Sequence, residues 1–317
     1  MATSGLFPFR PRTTGDEAVG PRLLSEAEAA GAGVQSLLVA AERVAATVSL
    51  GVHGRRRAGQ GETFWQFRPY DDTDAPGEID WRQSAASDGL YVRELEWEAI
   101  QSIYLWADQS PSMAYRSHPD LPAKRTRALL CALAAGFLLT RAGERIGLAG
   151  VRGAGGAGRL AVHDIAQRLE AGEAPKALPD FAELPRHGCV LLFSDFLYDE
   201  ERMARAIETL GSARIRGHLV QILDPSEEDW PFEGRTEFLG LGAGEQLLAG
   251  KAEALRERYR HRLTAHRARL GALARKAGLR LLAHRTDERP ERLLLALAAD
   301  LADHRPSHDG PGQFFEG

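Results

Sequence analysis

The chain is short of the residues that mark several common function classes. Two thiols, Cys131 and Cys189, serve 317 residues. Both stand in apolar runs, so they read as small buried side chains, and a disulfide framework is excluded. Ten histidines are scattered without the paired spacing of a zinc motif. Ser194-Asp195 and His218 form no nucleophile elbow, since no Gly-x-Ser-x-Gly occurs. Asp108-Gln-Ser lacks the second acid of the Asp-x-Asp phosphotransferases, so no enzyme signature stands out. The longest apolar stretch, Ala128–Thr140, falls about one-third short of the ~20 residues that cross a bilayer. The N-terminus has no basic-then-apolar pattern of a secretory signal. A soluble, cytoplasmic protein without a membrane span is therefore expected. A net charge of −4 gives no global pull toward nucleic acid or anionic membrane. One absence is local: between Thr140 and Thr209 there is no threonine, and the only serine is Ser194.

What is present is organised around Ile103–Met113, IYLWADQSPSM. A strand-like apolar run reaches Asp108 and turns polar at once, with Ser110 and Ser112. An acid followed by hydroxyls at alternate positions suits a hard divalent cation, because an extended loop points all three oxygens the same way. The bland reading is a polar turn after a strand, since Asp, Ser and Pro favour turns. Asp-x-Ser-x-Ser at a strand end resembles the metal-ion-dependent adhesion site of von Willebrand factor A domains.

Beyond Asp108 the pattern alternates. Helices are expected at Lys124–Arg141, 163–171, Asp199–Leu210, Lys251–Ala277 and Glu291–Ala302. Strands are expected at Arg145–Val151, Val190–Phe193, His218–Leu223 and Leu279–His284, with an extra edge strand at Arg235–Leu239. Repeated β–α alternation argues an α/β fold, a doubly wound and mostly parallel, Rossmann-like sheet with helices on both faces. Ahead of it come a loose arm over 1–20, an amphipathic helix within Leu23–Leu50 broken near Gly31–Gly33, a basic glycine loop with Arg55, Arg56 and Arg57, and an aromatic, charged stretch over 61–97. The stretch reads as a β-rich layer whose arginines pair with nearby carboxylates, or as a partner surface, since Trp, Tyr and Arg dominate binding hot spots. The division is 1–100 for the N-terminal helix and β-rich region, 101–304 for the α/β domain and 305–317 for a Pro/Gly-rich tail.

An ordered set of motifs makes a resemblance specific. Gly59-x-Gly61-x-x-Phe64, Arg68-x-Tyr70, Ile79-Asp80-Trp81-Arg82-x-Ser84-Ala85 and Val92-Arg93-Glu94 precede Asp108-x-Ser110-x-Ser112-Met113. Together they resemble the domain-of-unknown-function 58 family, from about Gly51 to the last helix. The resemblance implies a von Willebrand A-like second domain and a MoxR-type AAA ATPase partner, and supplies no substrate. In the A-domain pattern a later strand ends in an acid that completes the metal shell, and Ser194-Asp195 stands there. The expected metal set is Asp108, Ser110, Ser112 and Asp195, with Mg²⁺ favoured because it keeps waters and accepts few protein oxygens. The pattern's loop threonine is missing, so water or Asp164 would have to substitute, and the site is degenerate.

Strand-end acids also include Asp224, a turn residue before Pro225, and Asp287; ligands of open parallel sheets collect at that edge. The run Gly153–Gly158 formally fits Gly-x-Gly-x-x-Gly, but RLAVHD after it looks extended and delays the helix, so a hairpin tip is expected instead of a dinucleotide loop. Residues Lys251–Arg285 hold eleven Lys/Arg and two Glu; a solvated helix face accounts for them, with binding of nucleic acid or an acidic partner the sharper alternative. The leading expectation is a non-enzymatic interaction module that takes a partner's acidic side chain. A metal-dependent hydrolase using the acidic edge stands as the alternative enzyme.

Overall fold

A computed structural model describes residues 9–12, 36–49, 64–70, 79, 81–85, 89–95, 102–240 and 246–303. The expected arm outside 9–12, the basic loop at Arg55–Arg57, the motif glycines Gly59 and Gly61, and the tail lie outside these residues. Two compact units form: residues 1–51 with 101–317, and residues 52–100.

The larger unit is α/β. Its six-stranded sheet contains β4 (Ser102–Ala107), β5 (Arg145–Leu148), β6 (Gly155–Ala157), β7 (Cys189–Ser194), β8 (Arg216–Leu223) and β11 (Leu279–Arg285), in the order β11-β8-β7-β4-β5-β6. All neighbours are parallel except β6, which runs antiparallel to β5. Parallel strands covered on both faces read as unbroken apolar runs. Strand β7, CVLLFS, is buried at every position.

One face is covered by α1 (residues 36–49), α3 (Lys124–Arg141), α4 (Gly158–Glu170) and α8 (Pro290–Asp303), which share a core with Leu105, Leu191 and Ile222. The other carries α5 (Glu200–Ser212) and α7 (Arg256–Lys276), packed on Trp106, Leu192 and Leu219. The sheet is thus doubly wound and mostly parallel. Helix α3 has the bounds read from sequence, with Pro122 ahead of it and Gly143 at φ 88° just past its end. Thr236–Gly240 (β9) is not an edge strand of this sheet. It joins β1 (Phe9–Arg12) and β10 (Gln246–Ala249) in a separate antiparallel sheet. Over it, Trp230 stacks on Phe238 and packs at a tilt against Tyr259, and α6 (Pro225–Asp229) leads into this cluster.

The smaller unit pairs β2 (Phe64–Pro69) with β3 (Tyr91–Leu95) antiparallel, beside a short helix α2 (Trp81–Ser84). Ser84 Oγ accepts the Tyr91 N–H and ties the helix to the strand.

The glycine run corrects one expectation. Helix α4 opens at Gly158 and not at 163. Its buried positions Ala161, Val162, Ile165, Ala166 and Leu169 keep helical spacing, with Leu160 out in solvent, and RLAV only mimics strand alternation over so short a window. The hairpin itself is present, as β5 turning into β6.

Candidate functional site

Chain direction alone brings the site together. Strands β4 and β7 are parallel neighbours, with Ala107 opposite Phe193, so Asp108 and Asp195 leave the sheet at the same edge. The Asp108 N–H donates to the Phe193 carbonyl, extending the ladder by one rung. Strand β8 ends beside them at Asp224. After Asp108 the chain bends into a 3₁₀ turn, Pro111–Ala114, and Pro111 fits its first position because the ring presets φ.

Asp108, Asp195, Ser194 and Asp224 are fully or almost fully buried, and Ser110 and Ser112 nearly so. Buried carboxylates need donors, and this edge supplies them internally. Asp108 Oδ1 accepts the Ser110 N–H at 2.8 Å. Its Oδ2 accepts the Ser194 hydroxyl at 2.5 Å and the Tyr198 hydroxyl at 2.8 Å. Asp195 Oδ1 accepts the Leu197 N–H, and its Oδ2 receives the Lys124 ammonium at 2.9 Å. The same ammonium reaches Glu227 Oε1 at 2.7 Å. Glu227 Oε2 accepts the Asp224 N–H, closing a capping box on α6. Asp224 itself accepts from Ser226 and from the Ser117 N–H. Ser110 and Ser112 bond each other, Oγ to Oγ, at 3.1 Å.

Burial pushes the Asp108 carboxyl above the usual carboxylate range, Asp195 beside it adds to this, and the Ser194, Ser110 and Tyr198 bonds oppose it. Burial would lower Lys124, but Asp195 and Glu227 outweigh it and hold the ammonium above its ordinary value. Burial raises Glu227, against the pull of Lys124. The charges at the edge therefore interlock around one fully buried lysine.

The implied Mg²⁺ can be tested against these donors. A hard cation needs open anionic oxygens. Here each oxygen of Asp108 and Asp195 already accepts from protein, and a fixed ammonium holds the Asp195 side. Asp164 is committed elsewhere, to the Gly155 N–H and to Arg168. Among the described residues, no three His, Cys, Asp or Glu side chains gather in a way that could hold a metal. These residues do not fit a directly bound Mg²⁺.

The expected set of Asp108, Ser110, Ser112 and Asp195 thus does gather at one edge, with Asp224 and Thr286 on the next strands. Asp287, past Thr286, pairs with Arg285 instead. The sequence pattern does not single out Lys124, Tyr198 or Glu227, and marks Ser194 only as the neighbour of Asp195. The clue to Lys124 lies in α3, which opens KRTR with no acid in its first turn. Cations at the positive end of a helix dipole call for a carboxylate from elsewhere.

The basic segment is largely engaged within the fold. Arg267 bonds Gln221 and Glu228, Arg269 pairs with Glu200, and Arg285 with Asp229 and Asp287. No helix among the described residues is long and apolar enough to cross a membrane.

No solved structure matches the chain. Three curated relatives are each 26% identical over 247 residues, covering 72% of this chain and 76% of the relative: uncharacterized protein Mb1516 of Mycobacterium bovis, and uncharacterized proteins MT1527 and Rv1480 of Mycobacterium tuberculosis. The family model described as protein of unknown function DUF58 matches residues 66–269, which run from within β2 through most of α7 and include Asp108, Lys124, Asp195 and Glu227, and the chain belongs to that family.

Proposed function

We propose that this chain is a non-enzymatic protein-interaction module, a von Willebrand A-like domain with a degenerate adhesion site, working with a MoxR-type AAA ATPase. The observation that carries the reading is the closed polar edge at β4 and β7. Its carboxylates accept hydrogen bonds from Ser194, Tyr198, Lys124 and backbone N–H groups. A carboxylate so engaged is poorly placed to take a proton from water or a substrate, which speaks against the hydrolase reading. A network of this kind fixes the shape of the loops above it instead. Those loops, from Pro111 to Asp120 and around Lys176, present exposed Arg116, His118 and Asp120 at the rim.

The exposed Arg116 guanidinium is the rim group suited to the acidic partner side chain expected from the sequence. The partner's identity as a MoxR-type ATPase comes from the family resemblance, and the engaged arginines of the basic segment give nucleic acid no comparable support.

The test is capture of a MoxR-type ATPase encoded beside the chain's gene, using the full chain as bait. Wild type is expected to retain it, and Arg116→Glu to retain at least ~10-fold less, as for a truncated hot-spot charge. Equal capture by both proteins would remove this edge as the interface. No capture by wild type would remove the partner.

A further inference from the structure

We infer that the Lys124 ammonium is the resident cation of the β4/β7 edge, filling permanently the electrostatic role that a divalent metal would otherwise play between Asp195 and Glu227. Lys124 is entirely buried, and so is Asp195 at 1% exposure. Its Nζ bridges carboxylates from the end of β7 and from α6, which lie 71 and 103 residues away in sequence. It also stands 5.9 Å from the centre of the Tyr115 ring, whose face attracts a cation. Tyr115 is fastened in turn to Ser226 at 2.8 Å and accepts the Lys124 N–H on its carbonyl at 3.1 Å. The ammonium is thus built in on every side that the structure records.

Three features argue for a stand-in and against an incidental ion pair. A lysine stem in a protein interior is costly unless its charge is matched, and here two carboxylates match it. The position is the first residue of α3, where the helix dipole disfavours a cation, so the carboxylates have to outweigh that as well. Lastly, the two carboxylates bind it from the end of β7 and from α6, so the ammonium links two segments as a bridging metal ion does. The edge then keeps its shape whether or not divalent ions are present. This inference concerns the site's own cation and is separate from partner capture, so either can fail alone.

The experiment compares melting of the full chain in millimolar Mg²⁺ and in EDTA, for wild type, Lys124→Gln and Lys124→Arg, with calorimetric titration of wild type by Mg²⁺. Wild type is expected to melt at the same temperature in both buffers and to show no saturable Mg²⁺ uptake. Lys124→Gln is expected to melt roughly 10 °C lower in EDTA, as when a buried pair loses one partner, and to recover part of the loss in Mg²⁺. Lys124→Arg, which keeps the charge, is expected to show no Mg²⁺ response. A wild type that is stabilised by Mg²⁺ overturns the inference. So does a Lys124→Gln protein that melts like wild type, or one that melts lower with no Mg²⁺ response, which would make Lys124 a packing residue. If Lys124→Gln folds in neither buffer, the wild-type titration decides, uptake overturning the inference and its absence supporting it.

Discussion

Two stretches of this chain look like ligand motifs, and the fold treats them in opposite ways. Asp108-x-Ser110-x-Ser112 becomes a buried edge whose cost lies in side-chain charge: acids and a lysine held together out of water. Gly153–Gly158 becomes the β5–β6 hairpin and the start of α4, where the cost lies in the backbone. Gly155 has φ 101°, and a Cβ there would stand 2.1 Å from the Ile146 carbonyl oxygen. At Gly155 the close approach of two strands requires glycine, and Gly153 and Gly158 stand at φ 71° with open space around them, which accounts for the run without a nucleotide. A motif written in charged side chains answers to pH; one written in glycines answers to substitution by alanine.

The largest test of that contrast uses pH. His284 lies near the carboxyl end of β11 and is 2% exposed. Burial lowers it most, with Arg127 adding, from the usual 6.5 to about 4. A folded-state value below the unfolded one means the unfolded chain takes the proton first. The contribution of neutral His284 is complete above pH 6.5 and is lost as the pH falls toward 4. It should amount to about 3 kcal/mol across that window. Asp108, raised in the fold, works with the opposite sign as its own carboxyl takes up a proton, so the quantity to measure is a difference. Urea unfolding of wild type and His284→Leu between these pH values should show the extra acid sensitivity in wild type alone. Parallel pH profiles would mean that the buried neutral imidazole of His284 carries none of the acid sensitivity.

The hairpin should respond next. Gly155→Ala is expected to destabilise by about 2 kcal/mol, from the φ penalty and the strand clash together. Gly153→Ala, at φ 71° with nothing within 4 Å of its Cβ, carries the φ penalty alone, about 1 kcal/mol. Neither loss should vary between pH 4 and 6.5, the window in which His284 acts. Equal losses at the two glycines, read from urea midpoints, would remove the close approach from the explanation.

The same contrast explains what the sequence made legible. Apolar periodicity located β7 and the full length of α3, because those signals are local and repeat over many residues. The common edge of Asp108 and Asp195 followed from parallel alternation alone. The partners of those acids did not follow. Lys124 at the head of a helix reads as a solvated cation, and its burial is decided by Glu227, 103 residues away. Tyr198 reaches Asp108 across 90 residues. The boundary of α4 failed for a different reason: four residues of RLAV fit a strand as well as a helix, and only the packing of Ile165 and Leu169 settles it.

The smallest effect concerns the hydroxyl pair. Ser110 and Ser112 are 3.1 Å apart and bonded to each other, and Ser112 is 8% exposed. As a hydrogen bond alone, the pair should contribute about 1 kcal/mol. Their spacing also matches the ~3.0 Å between adjacent oxygens on an octahedral ion with ~2.1 Å bonds, so distance by itself leaves both readings open. The carboxylates decide between them, since Asp108 turns its oxygens to Ser110 N–H, Ser194 and Tyr198. Ser112→Ala should therefore lower the urea midpoint slightly, and by the same amount in Mg²⁺ and in EDTA. The equality is the informative part: a hydrogen bond between two serines has no reason to depend on a divalent ion, whereas a ligand oxygen does. A loss seen only in Mg²⁺ would restore the serines to a metal shell and return the edge to the adhesion-site chemistry that its sequence first suggested.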